Sequence, residues 1–146
     1  MKAIRLAAQL CLLSVITSSA HGEKINMTSA EMKKTATHVI VGDVLQIFER
    51  KQTDKDWNTT YYVAEVRVNE VEKGSDVVRN QLVYVRYWRR SGIDPNRVVL
   101  STSGHRGLPK EGEAVRIYLS RNAYDGFGTT TDGGFNVIGA NGFEKP

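Results

Sequence analysis

Cysteine is all but missing from this sequence: Cys11 is the only one, so no disulfide can form within the chain. The common catalytic signatures are missing too. There is no G-x-S-x-G elbow, no H-E-x-x-H pair, no phosphate-binding loop and no C-x-x-C motif. Charge of one sign is not in excess either. A net charge of +4 from 20 basic and 16 acidic residues is too mild to argue for nucleic acid as a partner. Long apolar runs are absent apart from Leu6 to Ile16, which falls short of the roughly 20 residues a membrane-spanning helix needs.

That one apolar run has the surroundings of a secretory signal. Lys2 and Arg5 precede it, and Thr17-Ser18-Ser19-Ala20 follows with the small residues of a cleavage site. Residues 1–22 are therefore expected to be a signal peptide and residues 23–146 a single domain, secreted or periplasmic and without a membrane span. Cleavage after Ala20 would leave His21 at the new N-terminus; cleavage after Gly22 would leave Glu23. Either cut removes Cys11, and losing Lys2 and Arg5 takes the charge from +4 to about +2. Gln9, Leu10 and Leu12 around Cys11 lack the small residue of a lipidation site. A domain of about 125 residues buries enough core to stand without disulfides.

What remains reads mainly as strands. Thr28-Ser29-Ala30-Glu31 has the form of a capping box opening a short helix to Ala36, with Met32 and Ala36 four apart on one buried face. A first strand from Thr37 to Arg50 is interrupted by Gly42, which predicts a bulge. A polar stretch, Lys51 to Asn58, is expected as a hairpin loop carrying Trp57, and a second strand runs from Thr59 to Val71. Beyond the Lys73–Asp76 turn, a third strand spans Leu82 to Trp88, with Val83, Val85 and Tyr87 facing inward. Arg89 to Lys110 holds Pro95, Pro109 and three glycines and reads as a long loop. A fourth strand, Ala114 to Ser120, turns Val115, Ile117 and Leu119 inward; a fifth runs from Phe135 to Ala140. Five strands and one short N-terminal helix predict a closed or partly closed antiparallel barrel.

Several segments together look familiar. Ala36 to Val44 opens the set, followed by Tyr62-Val63-Ala64-Glu65-Val66, Val71-Glu72-Lys73-Gly74 and Val83-Tyr84-Val85. Leu108 to Glu113 then leads into Val115-Arg116-Ile117-Tyr118-Leu119. This order resembles the netrin-like domain of the tissue inhibitors of metalloproteinases, and a group of exported bacterial proteins of the same layout. The resemblance implies a five-stranded, OB-like barrel over residues 36–120. Those inhibitors grip the target's zinc with an N-terminal cysteine held by disulfides. Neither occurs after the signal here, so no inhibitory residue carries over.

Two groups of residues stand out as a binding surface. Tyr84, Arg86 and Trp88 share the outward side of the third strand, and Arg116 and Tyr118 that of the fourth. Aromatic rings stack on flat ligands while guanidinium groups take carboxylates, a pairing that suits a protein or a glycan. The competing expectation is that a helix or loop covers these rings as a second core. The second group is the loop, with Arg89, Arg90, His105 and Arg106 among glycines whose amides can face an anion. The sequence thus predicts a non-enzymatic binding module for a protein or glycan, with no cofactor, no metal and no catalytic residue. One alternative is a small metal-dependent or hydrolytic enzyme of the cell envelope, centred on His105 or on an N-terminal His21 joined by His38 or His105. The other is a structural accessory of the envelope.

Overall fold

The computed structural model describes residues 24–93, 103–121 and 134–146. The expected signal peptide, with Cys11 and His21, lies outside the described residues. Helix α1, Ser29–Thr35, begins as its capping box dictates: the Thr28 hydroxyl accepts from the Glu31 amide, and the Glu31 carboxylate accepts from the Thr28 amide at 2.7 Å. Its other end is held by a cation. Lys73 donates to the carbonyls of Lys33, Lys34 and Ala36, where the unpaired helix carbonyls concentrate negative charge. Met32 and Ala36 face inward and form a small cluster with Val39 and Tyr118.

Strands β1 (His38–Thr53) and β2 (Trp57–Lys73) form a long antiparallel hairpin. Pairing continues to Thr53 opposite Asn58, so the loop is only Asp54 to Asp56. The Asp54 carboxylate closes this turn by accepting from the amides of Asp56 and Trp57. The expected loop over Lys51 to Asn58 is therefore mostly strand. Its polar residues are solvated on both faces, which erases the alternation that marks a half-buried strand. Register shifts at Val39/Ile40, Val41/Gly42 and Val44/Gln46 bend β1, letting its first half pair with a second partner. Gly42 is required there: a Cβ would come within 2.6 Å of the Arg67 carbonyl oxygen and of Val66.

Strand β3 (Leu82–Gly92) continues past Trp88 through Arg89 to Gly92, residues expected in a loop, and β4 (Ser103–Gly104) pairs with its end. Strand β5 (Ala114–Arg121) pairs with the first half of β1; β6 (Phe135–Val137) lies between β5 and β3; β7 (Phe143–Glu144) flanks β5. The circuit β1-β2-β3-β6-β5 returns to β1 and closes a five-stranded mixed barrel. The expected all-antiparallel arrangement is corrected at one junction, where β3 and β6 run parallel. Arithmetic demands it: strand directions cannot alternate around a closed ring of odd number, so at least one neighbouring pair must be parallel.

The barrel is filled by Ile40, Val44, Ala64, Val66, Val68, Val83, Val85, Val115, Ile117, Leu119 and Val137, each contributing roughly 1.5–3 kcal/mol on burial if large. One end is closed by aromatic rings. Tyr87 stacks on Tyr62 at 4.9 Å and meets Phe143 edge-on at 5.0 Å. Burial pushes the Tyr87 phenol well above its ordinary pKa.

Candidate binding face

Cross-strand register determines which side chains share the outer surface of β1, β2 and β3. Directly opposed residues lie on one face, which gives the rows Gln46–Glu65–Tyr84, Phe48–Val63–Arg86, Arg50–Tyr61–Trp88 and Gln52–Thr59–Arg90. Trp57 continues the same side of β2, and Leu82 the same side of β3. Phe48, Leu82 and Tyr84 are 48%, 45% and 50% exposed, and these three large apolar side chains gather on this one face. Apolar exposure concentrated in this way is the usual mark of an interaction surface.

Two hollows cut into the face and meet at Val63. The smaller, about 290 Å³, lies among Phe48, Glu49, Arg50, Tyr61 and Val63. The larger, about 450 Å³, runs from Val63 between Leu82, Tyr84 and Arg86 toward Arg121, Gly134 and Phe135. Gly134 lines it next to the Arg86 guanidinium, which a Cβ there would push aside.

The polar groups of the face are arranged around its rings. Arg50 lies 5.1 Å above the Tyr61 ring. Arg90 sits between Trp57 and Trp88 at 5.6 and 5.7 Å and donates from Nε to the Thr59 hydroxyl at 3.1 Å. Tyr84 donates its hydroxyl to Glu65 at 2.9 Å, a bond that raises the phenol's pKa. At the far wall, Arg121 lies over the Phe135 ring at 4.5 Å and pairs with Asp76 at 2.6 Å. Asp76 also accepts from His38, whose other ring nitrogen lies 2.9 Å from the Thr37 hydroxyl. The bond from His38 holds the Asp76 carboxyl below the ordinary aspartate pKa.

The nine residues picked from sequence do not form one surface. Tyr84, Arg86, Trp88 and Arg90 stand on the outer side of β3, although Trp88 is buried, with Gly104 pressed against its indole. Arg89 opposes Thr60 and projects from the other side of the sheet. His105 is buried, with Nδ1 3.1 Å from the Trp88 amide and Nε2 3.0 Å from the Val137 carbonyl. Arg106 is exposed, and its amide donates to Ala140. Arg116 and Tyr118 belong to a different part of the barrel, since β6 separates β5 from β3. Tyr118 is buried against α1 and donates to Glu144 at 2.9 Å; burial first, and this bond second, raises its pKa. Arg116 donates to Glu72 at 2.8 Å, which raises its pKa further.

Sequence reasoning missed Phe48, Arg50, Trp57, Tyr61, Val63 and Leu82. The signal was present as a period-two series, Trp57, Thr59, Tyr61, Val63, but it began inside the stretch read as a loop. Tyr62, between Tyr61 and Val63 on β2, faces inward onto Tyr87. Among the described residues, no three His, Cys, Asp or Glu side chains gather to hold a metal ion, and no helix is long and apolar enough to cross a membrane. Comparison with protein-family models, with curated proteins and with solved structures returned no match.

Proposed function

We propose that this chain is an exported, non-enzymatic binding module of netrin-like, OB-barrel type, working in the periplasm or outside the cell. It engages its partner through the outer face of β1, β2 and β3. The observation that carries this reading is the gathering of exposed Phe48, Leu82 and Tyr84 with arginines around two adjoining hollows. Strand order supports the OB-type assignment: β1 pairs with both β2 and β5, and the circuit closes through one parallel pair. OB barrels bind along the face of their second and third strands, here the strands with the aromatic–basic surface. The Lys73-Gly74 element shared with netrin-like domains supports the family reading. Lys73 clamps the end of α1, and Gly74, at φ +106°, lies flat against the His38 ring where a side chain would clash.

Of the two ligand classes, a protein suits the face better than a glycan. Sugars stack on open aromatic rings, whereas both indoles here are flanked by Arg90. Val63 and Leu82 add aliphatic surface of the kind protein side chains fill. The hydrolytic alternative has one observation in its favour, the run of hydroxyl, imidazole and carboxylate through Thr37, His38 and Asp76. That hydroxyl is already engaged by the Arg121 amide and lies beside the Leu119 carbonyl, which suits a fastening more than a nucleophile.

The test uses the secreted chain, immobilised and exposed to extracellular and envelope proteins and to a panel of oligosaccharides. Wild type should retain a defined protein, and Phe48→Ser with Tyr84→Ser should lose it while the melting temperature stays unchanged. Equal retention by wild type and the double variant would remove this face from consideration.

A further inference from the structure

The arm formed by β1 and β2 leaves one backbone edge open. Strand β5 pairs with β1 only from His38 to Asp43, and Gly112 and Glu113 then bond to the backbone of Val44. From Gln46 onward the register with β2 is regular, and at its end the Asp54 amide donates to the Trp57 carbonyl. Hydrogen-bonded pairs therefore fall at the even positions of β1, and the odd positions turn their amides and carbonyls away from β2. Ile47 shows the same parity, since its amide donates outward to Glu111 Oε1 at 2.8 Å. Among the described residues, nothing bonds to the outward backbone groups of Glu49, Lys51 or Thr53.

We infer that this edge joins a second copy of the chain, the two β1 strands running antiparallel across a two-fold axis at Arg50. Edge strands commonly carry charges that repel such pairing. Here the charges match. Pairing about Arg50 sets Glu49 opposite Lys51 of the other copy, and Lys51 opposite its Glu49. Shifting the register by two residues either way would set Glu49 on Glu49 or Lys51 on Lys51, so charge selects this register. Glu49 and Lys51 are also the outward-bonding positions, so each ion pair lies on a pair of backbone hydrogen bonds. Within one chain the two side chains touch at 3.2 Å, but both are exposed, and such a pair exchanges partners at little cost. The two Arg50 side chains share the axis on the opposite face. Each guanidinium leans away over Tyr61 of its own β2, 5.1 Å from the ring. Phe48, exposed in the single chain, comes beside Gln52 of the other copy. Glu111 limits the contact: Thr53 of the other copy comes level with Ile47, whose amide Glu111 already holds. The pairing is short, which makes the dimer a transient one. Its joined sheet carries both outer faces on one side, doubling the surface offered to a partner.

Sedimentation equilibrium of the full secreted chain, from micromolar to millimolar concentration, tests this. The mass should rise from monomer toward dimer. Glu49→Lys and Lys51→Glu should each weaken the dimer about tenfold or more, because like charges then oppose across the edge. An equimolar mixture of these two variants should dimerise again, as should the doubly exchanged chain, Glu49→Lys with Lys51→Glu. A folding defect cannot produce that recovery. Lys51→Pro should abolish the dimer and leave the hairpin intact, since the amide at position 51 faces outward. A monomer at every concentration would overturn the proposal. So would a dimer that the single charge variants or Lys51→Pro retain, or a mixture that stays monomeric.

Discussion

The outer sides of β3 and β5 look alike in sequence and have opposite fates in the fold. Tyr84-x-Arg86-x-Trp88 and Arg116-x-Tyr118 both alternate rings and guanidinium groups between core residues. On β5 the ring is sealed beneath α1, packed on Met32, Ala36 and Val39, and both polar ends are paired within the protein, Tyr118 with Glu144 and Arg116 with Glu72. On β3, Tyr84 stays half exposed beside the larger hollow, while Trp88 is covered. The same residue types thus make a second core where a helix lies over them and a partly exposed face where no helix does.

Tyr118→Ala should separate the two sides most sharply. It empties a buried ring site and should cost about 3–5 kcal/mol in chemical denaturation, whereas Tyr84→Ala should stay within about 0.5 kcal/mol. Equal losses would mean that the two faces do not differ as described. Gly104→Ala comes next. The residue sits at φ +108°, and a Cβ would meet the Trp88 carbonyl oxygen at 2.6 Å, so about 2 kcal/mol should be lost, with Trp88 fluorescence shifting as its cover is displaced. Thr28→Ala removes the cap of α1 and should cost about 1 kcal/mol, measured by thermal melting. It should also raise hydrogen exchange around Tyr118 but not around Tyr84, since only the former depends on the helix for cover.

The smallest effect belongs to Asp76 and is one of pH. Its folded pKa lies below its unfolded value of about 3.9, so its contribution is present above that value and lost as pH falls through the folded pKa. Asp76→Asn should therefore flatten the melting-temperature profile below about pH 4. Because Asp76 is exposed, the change should be small and should shrink with added salt. A profile identical to wild type would show that the His38–Asp76–Arg121 fastening adds no pH-dependent stability.

Much of the architecture was legible before folding was considered. Thr28 and Glu31 announced the helix start, Gly42 the bend, and the inward triplets Val83, Val85, Tyr87 and Val115, Ile117, Leu119 the core, because each reflects local geometry or strict period-two burial. The extension of the β1–β2 hairpin was not legible. Lys51, Gln52 and Thr53 pair with Thr60, Thr59 and Asn58 in a solvated arm whose composition resembles a loop. The site was half legible. Its β3 residues stood out as aromatic and basic, while Trp57 and Tyr61 were hidden by that misread arm and Phe48 among charged neighbours. His105 misled for a different reason: an imidazole near glycines suggests a surface, yet both its nitrogens meet backbone groups inside the barrel.

Sequence by itself determined the β-rich barrel with its capped helix and its inward-facing residues, because side-chain periodicity, capping and glycine placement act within a few positions along the chain. The parallel junction was not among them: an odd closed ring requires at least one parallel pair, and only the fold placed it at β3–β6. Tertiary structure alone decided which outward residues meet water. That choice depends on where α1 lands, and α1 is held by contacts distant in the chain: Met32 against Tyr118, Lys73 on the helix carbonyls, and Ser29 on Glu144. Long-range packing, and no local pattern, made Tyr118 a core residue and left Tyr84 at the surface.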